Sequence, residues 1–259
     1  MLFKEIAYGP IHSRRLGTSL GVELMPLDHK LCTFNCVYCE CGWNEPVYHP
    51  QLPTRAEVRA ALETKLKEMV NGTCQNGTCL DVITFSGNGE PTLHPDFLGI
   101  IKDTCALRDR FCPYAKVSVL SNSTQLGRPD VVQALRLCDN RILKLDAGTD
   151  EMMHRIDMPV NEHLTVAQIM DWLAPFEGDF TLQTCFLRGE HAGKKIDNTT
   201  PSELEAWYRA VESLRPKQIM IYVIDRKTPE EHLEKISRAE MERIAAPLIA
   251  KGYDVIISA

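Results

Sequence analysis

Val82-Ile-Thr-Phe85-Ser-Gly87-Asn88-Gly89-Glu90-Pro91 reads as a short buried strand running into a glycine-rich turn. The β-branched and aromatic residues favour a pleated strand. Two glycines and a proline follow, where backbone turns and can approach another group closely. Residues 95–107 then show helical periodicity, which completes one strand–turn–helix unit. Taken alone, the turn is an ordinary connection between strand and helix. The Glu90 carboxylate makes it a candidate for facing a cationic group.

The same alternation extends to both sides. Further strands are expected at residues 20–25, 116–120, 141–146, 180–187 and 218–224, with a less regular one at 253–258. Helices are expected at 55–70, 129–137, 166–174, 202–214 and 238–250. Thr54 with Glu57 three residues later has the pattern of a capping box for the first of these. Strand, helix and strand repeated about six times imply parallel strands with helical crossovers outside. A closed eight-unit barrel uses roughly 250 residues, and residues 1–17 look irregular. The expected fold class is therefore α/β, a partial, open (β/α)6 TIM-like barrel of parallel strands with outer helices. In such barrels the working residues sit at the C-terminal ends of the strands.

Bulk properties agree with a single globular domain over residues 1–259. Apolar residues make up 44% and charged residues 25% of the chain, as in ordinary soluble domains. A net charge of −6 gives no basic footprint for nucleic acid, although a local patch can hide in an acidic total. No apolar run approaches the ~18 residues of a membrane span, and no secretory leader is legible. The expected location is cytoplasmic. Ten cysteines in a reducing compartment suggest metal binding or chemistry rather than disulfides.

The telling cysteines are Cys32-Thr-Phe-Asn-Cys36-Val-Tyr38-Cys39-Glu-Cys41, in a loop over about residues 29–44. Three thiolates this close can hold one inorganic cluster. A cubane iron–sulfur cluster usually has four cysteine ligands, so three leave one iron open. S-adenosylmethionine (SAM) offers an amine and a carboxylate to chelate that iron. One electron passed into its sulfonium would give methionine and a 5′-deoxyadenosyl radical able to abstract hydrogen. Cys41 keeps two alternatives open: a closed four-thiolate zinc site, and a four-cysteine cluster with no open iron. Cys105, Cys112, Cys138 and Cys185 match no ligand spacing and read as small apolar residues. Cys74 and Cys79 lie in a turn-rich loop entering the strand at 82–85 and read as loop cysteines.

Together the two motifs resemble the radical SAM superfamily. Its signature is Cys-x3-Cys-x2-Cys with an aromatic residue before the last cysteine, here Tyr38, together with a glycine-rich, Glu-containing turn after the second strand. The resemblance is closer to a branch of short proteins akin to tRNA wyosine-synthesis enzymes. It is carried by Gly9-Pro-Ile-His-Ser-Arg14-Arg15-Leu-Gly17, by Phe85 to Pro95, by Lys144-Leu-Asp146-Ala-Gly148 and by Asp225-Arg226. It implies a 4Fe-4S cluster on Cys32, Cys36 and Cys39, with SAM as the second cofactor. It implies that Gly87, Asn88, Gly89 and Glu90 contact the SAM amino group, that Asn122 lines the SAM site and that Asp146 binds the ribose. The chain departs from the archaeal wyosine enzymes in having no cysteine before Cys32 and no flavodoxin-like domain, which argues against wyosine synthesis proper.

Strand alternation adds further candidates. Lys144 and Asp146 share a face, opposite Leu143 and Leu145. They are expected to point into the barrel, either as a functional pair or as a mutually satisfied ion pair. Lys144 is a tentative catalytic residue, to position the SAM carboxylate or substrate, or to form a Schiff base with a carbonyl. Gln183 is expected to face the lumen. Arg14, Arg15, Asp225 and Arg226 are substrate candidates, and arginine suits a carboxylate or phosphate; a solvated loop is the plain alternative. Residues 227–259 read as a C-terminal extension.

The reading is a radical SAM enzyme acting on a small molecule, an RNA base or a protein partner. Its electron donor would be a flavodoxin or ferredoxin, and no membrane partner is expected. The rival class is a non-enzymatic four-cysteine metal or redox protein.

Overall fold

The computed structural model describes residues 2–13, 16–72 and 80–259. The chain divides into two compact units. The first holds Met1–Cys32, Asn44–Ser121 and Gln125–Arg141, and the second holds Thr33–Trp43, Asn122–Thr124 and Ile142–Ala259.

In the first unit, strands β1 (Ala7–Ser13) and β2 (Gly17–Val22) form an antiparallel hairpin. Helix α1 (Arg55–Gly72) leads to β3 (Val82–Phe85), which runs parallel to β2 with Val22 opposite Phe85. Helix α2 (Phe97–Phe111) leads to β4 (Lys116–Ser121), parallel to β3, and helix α3 (Pro129–Leu137) follows. All four residues of β3 are buried, as expected for a parallel strand covered on both faces. Thr54 and Glu57 form the expected capping box on α1: the Thr54 amide donates to Glu57 Oε2 at 2.7 Å and the Glu57 amide to Thr54 Oγ1 at 3.3 Å.

In the second unit, β5 (Asn140–Lys144, entering from the first unit), β6 (Thr181–Cys185), β9 (Gln218–Tyr222) and β11 (Val255–Ser258) are parallel neighbours in that order. Helices α4 (Asp150–Ile156), α5 (Val166–Leu173), α6 (Pro201–Leu214) and α7 (Arg238–Ala250) make the connections. A small antiparallel sheet joins β7 (Leu187–His191) to β8 (Lys194–Asp197) on one side and to β10 (Leu233–Lys235) on the other. Phe186 and Trp207 meet edge to face at 5.1 Å, and the Trp207 indole donates to Thr184 Oγ1 at 3.0 Å.

The N-terminal segment and the start of the second helix differ from the sequence expectation. Within the N-terminal segment, Ala7–Ser13 is not irregular, because it finds a partner in β2. The second helix starts later, at Phe97, because Pro91–Leu93 forms a 3-10 turn before it. The strand expected at 253–258 is present as β11, parallel to β9, and among the described residues the second unit has four parallel strands and the first has three. Pairing supplied by a distant strand, which local periodicity does not encode, accounts for the order of Ala7–Ser13. Among the described residues no helix is long and apolar enough to cross a membrane.

Candidate active site

The glycine turn after β3 is held from below by a residue at the end of β2. Glu23 is buried; its Oε1 accepts the Met25 amide at 2.8 Å and its Oε2 the Asn88 amide at 2.6 Å. A β-carbon on Gly87 would lie 1.9 Å from Glu23 Oε2. The position is glycine because the carboxylate fills that space. Burial pushes the Glu23 carboxyl up to about 7, against the lowering effect of the backbone amides. The Asn88 side chain donates both amide protons, to Phe3 O and Pro26 O at 2.9 Å each, and accepts the Phe3 amide at 2.8 Å.

Gly89 meets the start of the cysteine loop. Leu31 donates to Asn88 O at 2.9 Å and accepts from Glu90 N at 3.1 Å. A β-carbon on Gly89 would stand 1.7 Å from Leu31 O. Gly89→Ala is therefore expected to push Leu31 away and to destabilise the protein by ~1–3 kcal/mol. Urea denaturation checks this, and faster proteolysis within the loop should accompany it. Glu90 is buried; its Oε1 accepts from the Thr92 hydroxyl at 2.5 Å and the Ser121 hydroxyl at 2.8 Å. A hydroxyl at the end of β4 thus orients the carboxylate of the turn after β3.

In the second unit, the loop carrying Cys36 and Cys39 is fastened to the residues at the end of α4. Asn35 N donates to Asp157 O at 2.8 Å, Val37 N to Ile156 O at 2.9 Å and Val160 N to Thr33 O at 2.9 Å. The side-chain amide of Asn122 donates to Thr33 Oγ1 at 2.9 Å, and its oxygen accepts from Thr124 N and Oγ1. Cys39 N donates to Cys36 O at 3.1 Å and Gly42 N to Cys39 O at 3.0 Å, two successive turns that bring the chain round on itself. Cys36 is buried and its thiol donates to Asp157 Oδ1 at 3.3 Å; Cys32, Cys39 and Cys41 are partly exposed. Among the described residues no three His, Cys, Asp or Glu side chains are grouped to hold a single metal ion. The four thiols of the loop are soft donors, and that chemistry fits an iron–sulfur cluster.

Beside this loop lies a buried polar cluster. Lys144 Nζ donates to the Tyr38 hydroxyl, which donates to Asp146 Oδ2. Lys144 Nζ also stands 3.4 Å from Asp146 Oδ2, and Asp146 Oδ1 accepts the Cys185 amide at 2.8 Å. Burial opposes the Lys144 ammonium, but Asp146, then Tyr222, Cys36 and Asp157, hold it well above the usual lysine range. An amine kept protonated lacks the lone pair that a Schiff base needs, so the geometry suits a fixed cation. Burial, then the charge of Asp146, push Asp157 well above the carboxylate range. Asn198 donates to Asp146 O and Cys185 O at 2.7 Å each, which locks the ends of two strands together. Gln183 is buried, with its amide 3.7 Å from the Met220 sulfur.

Arg226 reaches Glu40, between Cys39 and Cys41, at 2.6 Å, and Asp225 pairs with Lys235 at 3.7 Å. Both pairs are solvent-exposed. Arg226→Ala is therefore expected to change stability by less than about 1 kcal/mol, measured by denaturant titration. Arg14, Arg15, Cys74 and Cys79 lie outside the described residues. Sequence reasoning missed Glu23, Asp157, Tyr222 and Asn198. Glu23 did leave a signal, an acid inside an otherwise apolar run at 20–25; Tyr222 is one apolar residue of the run at 218–224, Asp157 and Asn198 sit in mixed stretches, and these three left none.

No protein-family model matches the chain. It is 28% identical over 239 residues to a protein named GTPase Obg of Brachyspira hyodysenteriae, covering 91% of this chain and 32% of that protein. It is 32% identical over 186 residues to a UPF0026 protein of Helicobacter pylori, covering 71% of this chain and 57% of that protein. The chain thus spans between a third and somewhat over half of these relatives' lengths. Among solved structures, it superposes on a radical SAM methyltransferase from Sphaerobacter thermophilus with TM-score 0.64 at 14% identity, covering 92% of this chain and 65% of that one. The structure of TYW1 with a lysine-pyruvate adduct bound gives TM-score 0.63 at 16% identity, with 91% of this chain and 75% of that chain covered. SuiB of Streptococcus suis bound to S-adenosylmethionine gives 0.62 at 12%, with 92% and 50% covered. These likenesses establish the fold as an α/β partial barrel of mostly parallel strands, and bear out at that level the resemblance read from the two motifs.

Proposed function

From the premise that this chain has the radical SAM fold, we propose that it binds a 4Fe-4S cluster through Cys32, Cys36 and Cys39 and cleaves SAM reductively. The observation that carries the reading is the Cys-x3-Cys-x2-Cys loop, whose residues 33–37 are hydrogen-bonded to the backbone after α4 and whose start is bonded to the glycine turn. Bound there, a cluster with one open iron would chelate SAM and supply the single electron that releases methionine and a 5′-deoxyadenosyl radical.

The chain's own residues would do the rest. Gly87, Asn88 and Gly89 present backbone to the SAM amino group, and Glu90, oriented by Thr92 and Ser121, supplies its negative charge. Asp146 is the candidate for the ribose and Lys144 for a carboxylate, and Tyr38, Asn122 and Gln183 are further cofactor-binding candidates. The Lys144 ammonium and the Asp146 carboxylate are fixed before any ligand arrives, so little reorganisation is needed on binding. The reductant would be a small flavodoxin- or ferredoxin-like protein, and Arg14, Arg15, Asp225 and Arg226 are candidates for holding the substrate whose hydrogen is removed.

Anaerobic reconstitution with iron, sulfide, SAM and dithionite tests the reading. The wild-type protein should hold ~4 iron and release 5′-deoxyadenosine, while Cys36→Ser should do neither. An intact cluster that yields no 5′-deoxyadenosine would overturn the proposal, as would a single bound zinc with no labile sulfide.

A further inference from the structure

We propose that Glu23 is a positioning residue for SAM, acting through the turn Ser86–Gly87–Asn88 that it holds in place. The proposal rests on the functional reading above and adds to it a residue outside the cysteine and glycine motifs.

The geometry is specific. Val22 and Phe85 are the last paired residues of β2 and β3. Beyond them the two chains separate, and the turn residues lose their ladder partners. Glu23 fills that gap: it follows β2 directly, and its two carboxylate oxygens accept from Met25 N and Asn88 N. The turn is gripped twice more. The Tyr8 hydroxyl, from β1, donates to Ser86 O at 2.9 Å. The Asn88 side chain is bonded to the backbone of Phe3 and Pro26. Ser86 and Asn88, on either side of Gly87, are thus held by groups from β1, from the end of β2 and from the N-terminal segment, while Gly89 leans on Leu31 beside Cys32.

Glu23 both supports the turn and limits what can stand in it, because its Oε2 occupies the space of a Gly87 β-carbon. A neutral acceptor such as asparagine or serine would satisfy a backbone amide without placing a titratable acid in a buried site. A carboxylate there makes physical sense if a cationic group is to dock on the turn, since the negative charge then lies one residue away from it, alongside that of Glu90. The high position of the Glu23 acid in the carboxylate range is what such a site looks like before the cation arrives.

The test uses the reconstituted full chain and reads SAM affinity by equilibrium dialysis, together with the change that SAM induces in the electron paramagnetic resonance signal of the reduced cluster. Glu23→Ala should weaken SAM binding by at least about tenfold and diminish the spectral change. Leu62→Ala, a buried α1 substitution unconnected with the turn, is the stability control and should leave affinity unchanged. Gly87→Ala should weaken binding because its methyl group strikes Glu23. Glu23→Ala/Gly87→Ala should then bind better than the product of the two single losses, since each change removes the other's conflict. Glu23→Gln, which preserves shape and one acceptor, should recover part of the loss.

Wild-type affinity in Glu23→Ala, or strictly multiplicative losses in the double variant, would overturn the proposal while leaving the functional reading intact. A wild-type protein that carries its cluster but binds no SAM would overturn both. If Glu23→Ala does not fold, the comparison of Glu23→Gln with Leu62→Ala decides: a loss of affinity only in the former supports the role, and equal affinities refute it.

Discussion

Asp146→Ala is expected to destabilise the protein by about 3–5 kcal/mol, the range for removing one partner of a buried ion pair. The reason is what it leaves behind. The Asp146 side chain is fully inaccessible and Lys144 nearly so. Without the carboxylate, the Lys144 ammonium loses its counter-charge, the Tyr38 hydroxyl loses its acceptor and the Cys185 amide loses its bond to Oδ1. Each of these groups then stays buried and unsatisfied. Asp146→Asn should do less damage, because the amide oxygen can still accept from Cys185. Replacing both partners, as in Lys144→Met/Asp146→Leu, should recover much of the loss, because no charge remains to be desolvated. Guanidinium denaturation of wild type, Lys144→Met, Asp146→Leu and the double variant forms a double-mutant cycle. If Asp146→Ala costs under 1 kcal/mol, the pair is not coupled as described.

Stability should fall by about 3 kcal/mol through Glu23 alone as pH rises from 5 to 9. The carboxyl moves from an ordinary 4.5 to about 7 in the folded protein, because burial disfavours its charged form. A group whose folded value is raised contributes its full stability below the unfolded value, and that contribution is lost as pH climbs through the folded one. The window is therefore about pH 4.5 to 7, and ionised Glu23 is the less stable state of the folded chain. Glu23→Gln carries no such proton. The difference in unfolding free energy between wild type and Glu23→Gln should thus shift by about 3 kcal/mol between pH 5 and pH 9, with wild type relatively more stable at the acid end. A difference independent of pH would show that the acid is either solvated or already ionised throughout. The same measurement supports the positioning role from another side, since a titrating Glu23 must alter the acceptors offered to Asn88 N.

The site was legible where a motif is contiguous. Cys32, Cys36 and Cys39 lie within eight residues, and Gly87 to Glu90 within four. The Lys144–Asp146 pair followed from strand alternation, and the structure adds that Tyr38 lies between them. The reason for the glycines was not legible. From the sequence, Gly87 and Gly89 mark a place where backbone approaches a ligand. In the fold their missing side chains already make room for protein, the Glu23 carboxylate at one and the Leu31 carbonyl at the other. Asp157 was invisible for a related reason: it lies far along the chain from Cys36 and its role exists only through the bond to that thiol.

By itself the sequence determined the alternation of the main parallel strands with helices, the three-thiol loop and the glycine turn. Each of these depends on the period of apolar residues or on spacing within a few positions, and such information is local. Only the tertiary structure decided which carboxylates are buried together, which strand pairs with Ala7–Ser13, and that the segment after α4 grips the cysteine loop. Those outcomes come from hydrogen bonds and desolvation between residues far apart in the chain, whose energies arise only once the chain has brought them into contact.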